Sequence, residues 1–400
     1  MLNNKKILIG IGGGIAVYRV AELVRLLQKQ GALVRCVMTK SAMEFVQPLT
    51  FEALTSEKVH TELFDLTSER EMGHIQLARW ADLLVVAPAT ANLMAKLAYG
   101  IADDLLTTLY QAGPKKTLLA PAMNPEMWAS EATVRNRKLL KHCCFIGPIS
   151  GVVACGEKGV GRLAEPEQIM HAIYSAVYAL TQGSHLAGQH WVINAGATHE
   201  YWDSIRFISN PASGKTGFAL AACAAARGAK VSLIAGPNTP TLTPYRVQRY
   251  DVVSANDMLH ASHSLAKNAD AFVASAAVGD FSFKEPLKHK FKRGQQKTIN
   301  VTLQNNPDIV KHIAQMTQRP KAVIAFAAET EKHIEYATKK MLSKKVDAIY
   351  ANDVSNMASD QSAGFWLQGQ QCSEVPVMDK WQLASWLVDA IMRLKKNEKE

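Results

Sequence analysis

Near the start of the chain an apolar strand runs into a cluster of glycines and then a helix, in Gly10-Ile11-Gly12-Gly13-Gly14-Ile15-Ala16-Val17-Tyr18. Bare backbone at a helix N-terminus offers N–H donors and partial positive charge, so phosphate binding is the chemistry this turn suggests. The dinucleotide fingerprint fails, because G-x-G-x-x-G counted from Gly10 needs glycine or alanine where Ile15 stands. The second strand also ends in Thr39 and Lys40 without an acidic residue. A mononucleotide phosphate fits better, with a tight turn and no ligand as the plain alternative. Two further apolar runs end in Ala-Pro-Ala, within APATAN (87–92) and APAMNPEMW (120–128). They place Thr90, Asn92 and Asn124 past strand ends, where ligands of open α/β sheets bind, suited either to hydrogen-bonding a flat heterocycle or to capping helices. His74, in GHIQLARWAD, precedes an amphipathic stretch, a setting where a lone histidine is more often structural. Cys155, in the glycine-rich run ACGEKGVGR, is expected to be exposed.

In the second half, SNPASGKTG ends like a phosphate loop in Gly214-Lys215-Thr216 but has Ser209 where the full pattern requires glycine. A basic segment follows, with Lys284, Lys288, Lys290, Lys292, Arg293 and Lys297 interleaved with Phe281, Phe283 and Phe291. That composition suits a single-stranded nucleic-acid binder or, more simply, a solvated loop.

Positioning these residues requires a sheet. Short apolar runs alternate with helical periodicity in both halves, which predicts parallel sheets wrapped by helices. Expected strands are Lys6 to Ile11, Val34 to Met38, Leu83 to Ala87 and Thr117 to Ala120, then Trp191 to Ala195, Lys230 to Ala235, Ala271 to Ala274, Ala322 to Ala325 and Asp347 to Tyr350. Helices are expected over Val17 to Gln30, Glu167 to Leu180 and Gly217 to Arg227, the first and last closed by Gly31 and Gly228. A polar, glycine-containing stretch at 181–190 marks the boundary between two α/β domains, 1–183 and 187–400. With 400 residues and an ordinary apolar-to-charged balance, the chain is too long for one small module and too apolar for disorder. Its net charge of +10 divides as +3 over 1–180 and +7 over 181–400. Six cysteines without a CxxC pair suggest neither a disulfide framework nor a zinc site. The N-terminal segment lacks signal-peptide features and no run of 18 apolar residues occurs, so a cytoplasmic protein without a membrane partner is expected. The charged end, Arg393 to Glu400, reads as a fraying helix terminus.

Taken together, these segments resemble the bacterial bifunctional family that joins phosphopantothenoylcysteine decarboxylase to CTP-dependent phosphopantothenate–cysteine ligase. The resemblance spans about residues 5 to 390. In the first half it is carried by the glycine turn, HIxLxRWAD from His74, APATAN from Ala87, GIADDLL from Gly100, PAMNxxMW from Pro121 and ACGExGxGR from Ala154. NAGAT from Asn194, RFISNxxSGKxG from Arg206, AAVxDF from Ala276, KxKR from Lys290, NPDIV from Asn306, FAAET from Phe326 and ANDV from Ala351 continue it.

The resemblance implies a flavodoxin-like FMN domain followed by a Rossmann-like ligase domain. It implies His74 as base, Asn124 as holder of the substrate carboxylate and amide, and Cys155 as proton donor, with Gly12, Gly13, Gly14, Thr39, Thr90 and Asn92 around FMN. Hydride removal by the flavin makes a thioaldehyde whose C=S accepts the electrons left by departing CO2. In the ligase it implies attack of the pantothenate carboxylate on CTP, an acyl-cytidylate held at Asn210, and displacement of CMP by cysteine. Nucleotide positions are Ser275, Ala276, Asp280, Pro307, Asp308, Ile309, Val310, Phe326, Lys340 and Lys344. Lys290 neutralises phosphate charge, and Mg2+ bridges the triphosphate through protein ligands that the sequence does not identify. The implied assembly is a dodecamer of flavin-domain trimers linked by ligase-domain dimers, and the implied partners are small molecules rather than nucleic acid. Departures from the family pattern are Gly12 in place of serine, Gly279 in place of alanine, the THEYWDS run with His199, Tyr201, Trp202 and Ser204, and Pro211-Ala212 after Asn210. A flavin-binding regulator without turnover is the rival reading, opposed by the presence of His74, Asn124 and Cys155.

Overall fold

A computed structural model describes residues 2–63, 73–114, 116–181, 183–292, 298–353 and 359–394. Arg293 and Lys297 of the basic segment, Val354 of ANDV and the end of the chain from 395 lie outside the described residues. The chain forms two units, Met1–Gly183 and Ser184–Glu400.

The first unit is built on a parallel sheet with strand order β2-β1-β3-β4-β5, comprising β1 (Lys6–Ile11), β2 (Leu33–Met38), β3 (Leu83–Ala89), β4 (Thr117–Pro121) and β5 (Cys144–Phe145). This is the flavodoxin-like order, which reverses between β1 and β3 and leaves a crevice at their carboxyl ends. Helices cover both faces, so β3 is buried along its whole length and reads as an unbroken apolar run. The helix Val17–Lys29 buries Val17, Val20, Leu23, Val24 and Leu27 as one stripe and gives way to Gly31 at φ +80°. An antiparallel hairpin, β6 (Ile149–Val152) with β7 (Lys158–Arg162), carries Cys155 in its connecting turn.

The second unit has an eight-stranded sheet of order β12-β11-β8-β13-β16-β17-β18-β19. Its first six members, β8 (His190–Ala195), β11 (Lys230–Ala235), β12 (Val247–Asp251), β13 (Ala271–Ala274), β16 (Val323–Glu329) and β17 (Ala348–Asp353), pair in parallel with Rossmann-like connectivity. The sheet is thus mainly parallel, as expected. An antiparallel pair extends it at the β17 edge, β18 (Gln361–Gln368) and β19 (Gln371–Asp379), and the sequence reading did not identify either strand. Two small ribbons stand off the sheet: β9 (Glu200–Tyr201) with β10 (Phe207–Ile208), and β14 (Phe281–Phe283) with β15 (Leu303–Asn305). Val192, Phe272, Val323 and Ile349, from four neighbouring parallel strands, form the centre of one face of the core. On the other face the alanine-rich helix Lys215–Ala226 packs against Lys380–Leu394, where the buried Arg227 guanidinium donates to Asp389 at 2.5 Å and to Ser385 Oγ at 2.7 Å.

Candidate active sites in the two units

The crevice between β1 and β3 opens into a cleft of about 1100 Å3, large enough for a flavin-sized ligand. Gly12, Gly13, Gly14, Thr39, Thr90, Asn92, Asn124 and Cys155 all line it. The glycines have a packing reason beyond any ligand. A Cβ on Gly12 would overlap the Pro88 carbonyl oxygen, and one on Gly13 would lie 2.6 Å from the carbonyl carbon of Ser41, whereas Gly14 has room, with Thr90 Cγ2 3.7 Å away. The closeness to Pro88 gives this backbone a reason for glycine at position 12. No side chain caps the helix Val17–Lys29; Val17 N and Arg19 N turn back to the Gly14 and Ala16 carbonyls, so an anion here would meet the N–H groups of the glycine turn ahead of the helix.

Thr39 and Thr90 do act as helix caps, accepting from Ala42 N at 3.3 Å and Leu93 N at 3.2 Å. Asn124 Oδ1 accepts from Glu126 N at 2.8 Å, while its Nδ2 donates to Glu157 Oε2 at 2.7 Å and reaches Cys155 Sγ at 3.5 Å. The fold therefore joins Asn124 to Cys155, and this thiol is exposed. Cys36, on β2, is buried, which pushes its thiol pKa up to about 12. His74 is the first residue of the helix His74–Trp80, half-buried, and does not line the cleft of its own chain. Sequence reasoning missed Ser41 and Arg162 as lining residues. Ser41 was findable, since it follows Thr39 and Lys40 at the carboxyl end of β2.

The second unit has a cleft of about 450 Å3 past the ends of β8, β13 and β16. It gathers Asn210, Ser275, Ala276, Asp280, Pro307, Asp308, Ile309, Val310, Phe326, Lys340 and Lys344. Asn194 pins its floor, accepting from Ala276 N at 3.0 Å through Oδ1 and from Ser275 Oγ at 2.6 Å through its carbonyl. Asn210 Nδ2 donates to the carbonyls of Ala277 and Val278 at 3.2 and 3.3 Å. Both lysines carry acidic partners, Lys340 with Glu329 at 2.7 Å and Lys344 with Asp308 at 3.0 Å. Asp308 also caps the helix Ile309–Ala314.

Lys290 is exposed and outside this lining. Lys215, Thr216 and Lys380 also line it; the sequence suggests the first two only as the end of an incomplete phosphate loop and does not single out Lys380. The GK[ST] fragment lacks the full loop pattern, yet Gly214 at φ +70° turns it into the cleft. Burial pushes the Lys380 ammonium below its ordinary value, Asp360 opposes that shift and Lys215 adds to it. In the altered THEYWDS run, His199 stacks on Phe207 with ring centroids 3.8 Å apart, and Tyr201 lies across both rings. Among the described residues no three His, Cys, Asp or Glu side chains form a metal cluster, and a cation carried on a triphosphate needs only one or two protein ligands.

Two switch-point clefts, one with a glycine turn and a thiol and one with paired lysines, define a two-domain α/β nucleotide-binding protein. Residues 1–178 match the flavoprotein family, and residues 186–394 match the family described as DNA/pantothenate metabolism flavoprotein C-terminal domain. The chain is 42% identical over 398 residues to the coenzyme A biosynthesis bifunctional protein CoaBC of Haemophilus influenzae, covering 98% of each chain. Against CoaBC of Escherichia coli K12 it is 39% identical over 403 residues, covering 98% of this chain and 97% of the other. The crystal structure of a C-terminal domain of CoaBC aligns with 54% of this chain and 98% of its own, at 32% identity and a TM-score of 0.46. The chain belongs to the CoaBC family.

Proposed function

We propose that the chain performs both reactions of coenzyme A assembly associated with its family. The ligase unit couples 4'-phosphopantothenate to cysteine using CTP, releasing pyrophosphate and CMP. The flavodoxin-like unit converts the resulting phosphopantothenoylcysteine to 4'-phosphopantetheine and CO2. The observation that carries this reading is the Asn124–Cys155 contact, 3.5 Å, in the cleft formed around the glycine turn.

The fit to FMN rests on the cleft's size, the glycine turn ahead of the helix Val17–Lys29 and the close packing of Gly12 and Gly13. Gly13 and Gly14 would hold the phosphate by backbone N–H, with Thr39, Thr90 and Asn92 beside it. FMN, when bound, supplies hydride acceptance and return. Asn124 holds the substrate carboxylate and amide, which frees its Nδ2 from Glu157. Cys155, exposed beside it, delivers the proton that completes the product. His74 takes the proton from the substrate thiol, and since it does not line its own cleft, a second copy of the chain brings it there. Ile15 (57% exposed), Tyr18 (64%) and Met127 (49%) line the cleft with open apolar surface, as suits a face covered by another subunit. The assembly we assign, from the family resemblance, is a homo-oligomer of flavin-domain trimers joined through ligase-domain dimers into a dodecamer.

In the ligase cleft Lys340 and Lys344 meet the CTP phosphates, with Glu329 and Asp308 holding them in place beforehand, and Asn210 steadies the acyl-cytidylate. Lys290 neutralises charge at the α-phosphate, and Mg2+ travels with the triphosphate. Among the described residues no helix is long and apolar enough to cross a membrane, and the compartment we assign is the cytoplasm. The test of the flavin half is the chromophore released on denaturing the purified protein. FMN is expected, and FAD, a nicotinamide or no capacity to bind flavin refutes it.

A further inference from the structure

Lys290 belongs to a strap, residues 284–292, that follows β14 and the cleft-lining Asp280. Four side-chain torsions disperse a lysine ammonium, so its placement depends on how the backbone beside it is held. The residue next to it is held. Phe291 N donates to Asp203 Oδ2 at 2.9 Å, its carbonyl accepts from Arg206 Nη1 at 3.2 Å, and its ring lies 5.1 Å from that of Trp202. A second tie joins the same turn, Leu287 N donating to the Trp202 carbonyl at 2.6 Å.

Asp203 is equipped for the task. Its side chain is fully buried, and its two oxygens divide the work. Oδ1 accepts from Ile205 N at 2.8 Å and Arg206 N at 2.7 Å, which shapes the turn, while Oδ2 faces Phe291 N and the Arg206 guanidinium. Burial alone would raise its pKa, but the N–H groups of Arg206, Phe291 and Ile205 and the Arg206 charge together bring it down to about 2. The chain then runs through β10 to Asn210 in the cleft lining, so the anchor stands just upstream of a site residue.

We propose that Asp203 is a positioning residue for the ligase reaction, clamping Phe291 so that the adjacent Lys290 is presented to the substrates. This rests on the role assigned above to Lys290. Asp203 itself lies outside the cleft lining.

Asp203→Asn tests the clamp selectively. The amide oxygen can still accept from Ile205 N and Arg206 N, but an NH2 group in place of Oδ2 opposes both the Phe291 N–H and the Arg206 guanidinium, the two groups that tie Phe291 down. The assay is pyrophosphate release from CTP with phosphopantothenate, Mg2+ and cysteine, using the full chain, beside decarboxylation of supplied phosphopantothenoylcysteine. Asp203→Asn is expected to lower ligase kcat about tenfold or more with KM for CTP within about twofold, and to leave decarboxylation unchanged. Lys290→Gln should lower kcat further, and Asp203→Asn added to Lys290→Gln should cost nothing more, because the clamp acts only through the lysine. Thermal melting of each variant controls for folding. A normal rate for Lys290→Gln would remove the underlying role of the lysine. A loss at Lys290→Gln with none at Asp203→Asn would overturn the clamp alone, as would a multiplied loss in the double variant or a rise in KM matching the fall in kcat.

Discussion

Gly13→Ala offers a quantitative test of the flavin cleft. The added Cβ would stand 2.6 Å from the Ser41 carbonyl carbon and 2.8 Å from its oxygen. Relaxed carbon contacts lie at about 3.5–4.0 Å, so one of the two backbone segments must retreat by roughly 1 Å. Both segments line the cleft, and neither is the yielding end of a long side chain. Overpacking of this kind costs about 1–3 kcal/mol, which lowers the melting temperature of a unit this size by roughly 2–12 °C. The same retreat misplaces the N–H donors that we propose hold the FMN phosphate. Loss of one charge-assisted bond is worth about 1.5–3 kcal/mol, or roughly ten- to a hundredfold in affinity. Gly14→Ala is the internal control, since its Cβ meets Thr90 Cγ2 at 3.7 Å, an ordinary contact. Flavin fluorescence titration of apo-protein, with melting curves, reads both effects. Wild-type affinity and melting in Gly13→Ala, or equal losses in the two variants, would refute the reasoning.

Cys155→Ser is expected to bleach bound flavin on adding phosphopantothenoylcysteine but to release no 4'-phosphopantetheine, and full turnover would remove Cys155 from the mechanism. His74→Asn should abolish decarboxylation while retaining FMN and ligase activity. Co-refolding this variant with Cys155→Ser should restore a fraction of decarboxylation if the histidine serves a neighbouring subunit's cleft, and no recovery would contradict that arrangement. Burial lowers the His171 pKa to about 4, from about 6.5 when unfolded, so the unfolded chain binds more protons between those values. The stabilising contribution is complete above about pH 6.5 and is lost toward pH 4. His171→Gln should therefore show a smaller drop in melting temperature between pH 7.5 and 5 than the wild type, and an identical drop would argue against this origin.

The central parallel strands were legible because both of their faces are buried, which leaves uninterrupted apolar runs. Lys6–Ile11, Lys230–Ala235 and Ala271–Ala274 occupy the very residues expected. β12 and β19 were not legible, since they are the two edge strands and carry exposed, polar positions, and β18 was not because only three of its eight residues are fully buried and its apolar run is short. β16 runs on past Ala325 to Glu329, where its end pairs with Asp353 of β17, a register that composition does not encode. The cleft floors were legible as strand ends followed by small and polar residues. What escaped was reach. Nothing in sequence spacing shows that His74 and Lys290 stand outside the clefts of their own chain, or that Lys215 and Lys380 converge on one, because those outcomes depend on helix origins and on the anchored strap.

The central claim is that one chain carries both activities, and a single-pot assay tests it most directly. Purified protein holding FMN is given 4'-phosphopantothenate, cysteine, CTP and Mg2+, and products are followed by mass spectrometry. The account predicts equal amounts of CMP, pyrophosphate, CO2 and 4'-phosphopantetheine, with phosphopantothenoylcysteine appearing only transiently. CTP consumption without phosphopantetheine, or no turnover by folded, flavin-loaded protein, would contradict it.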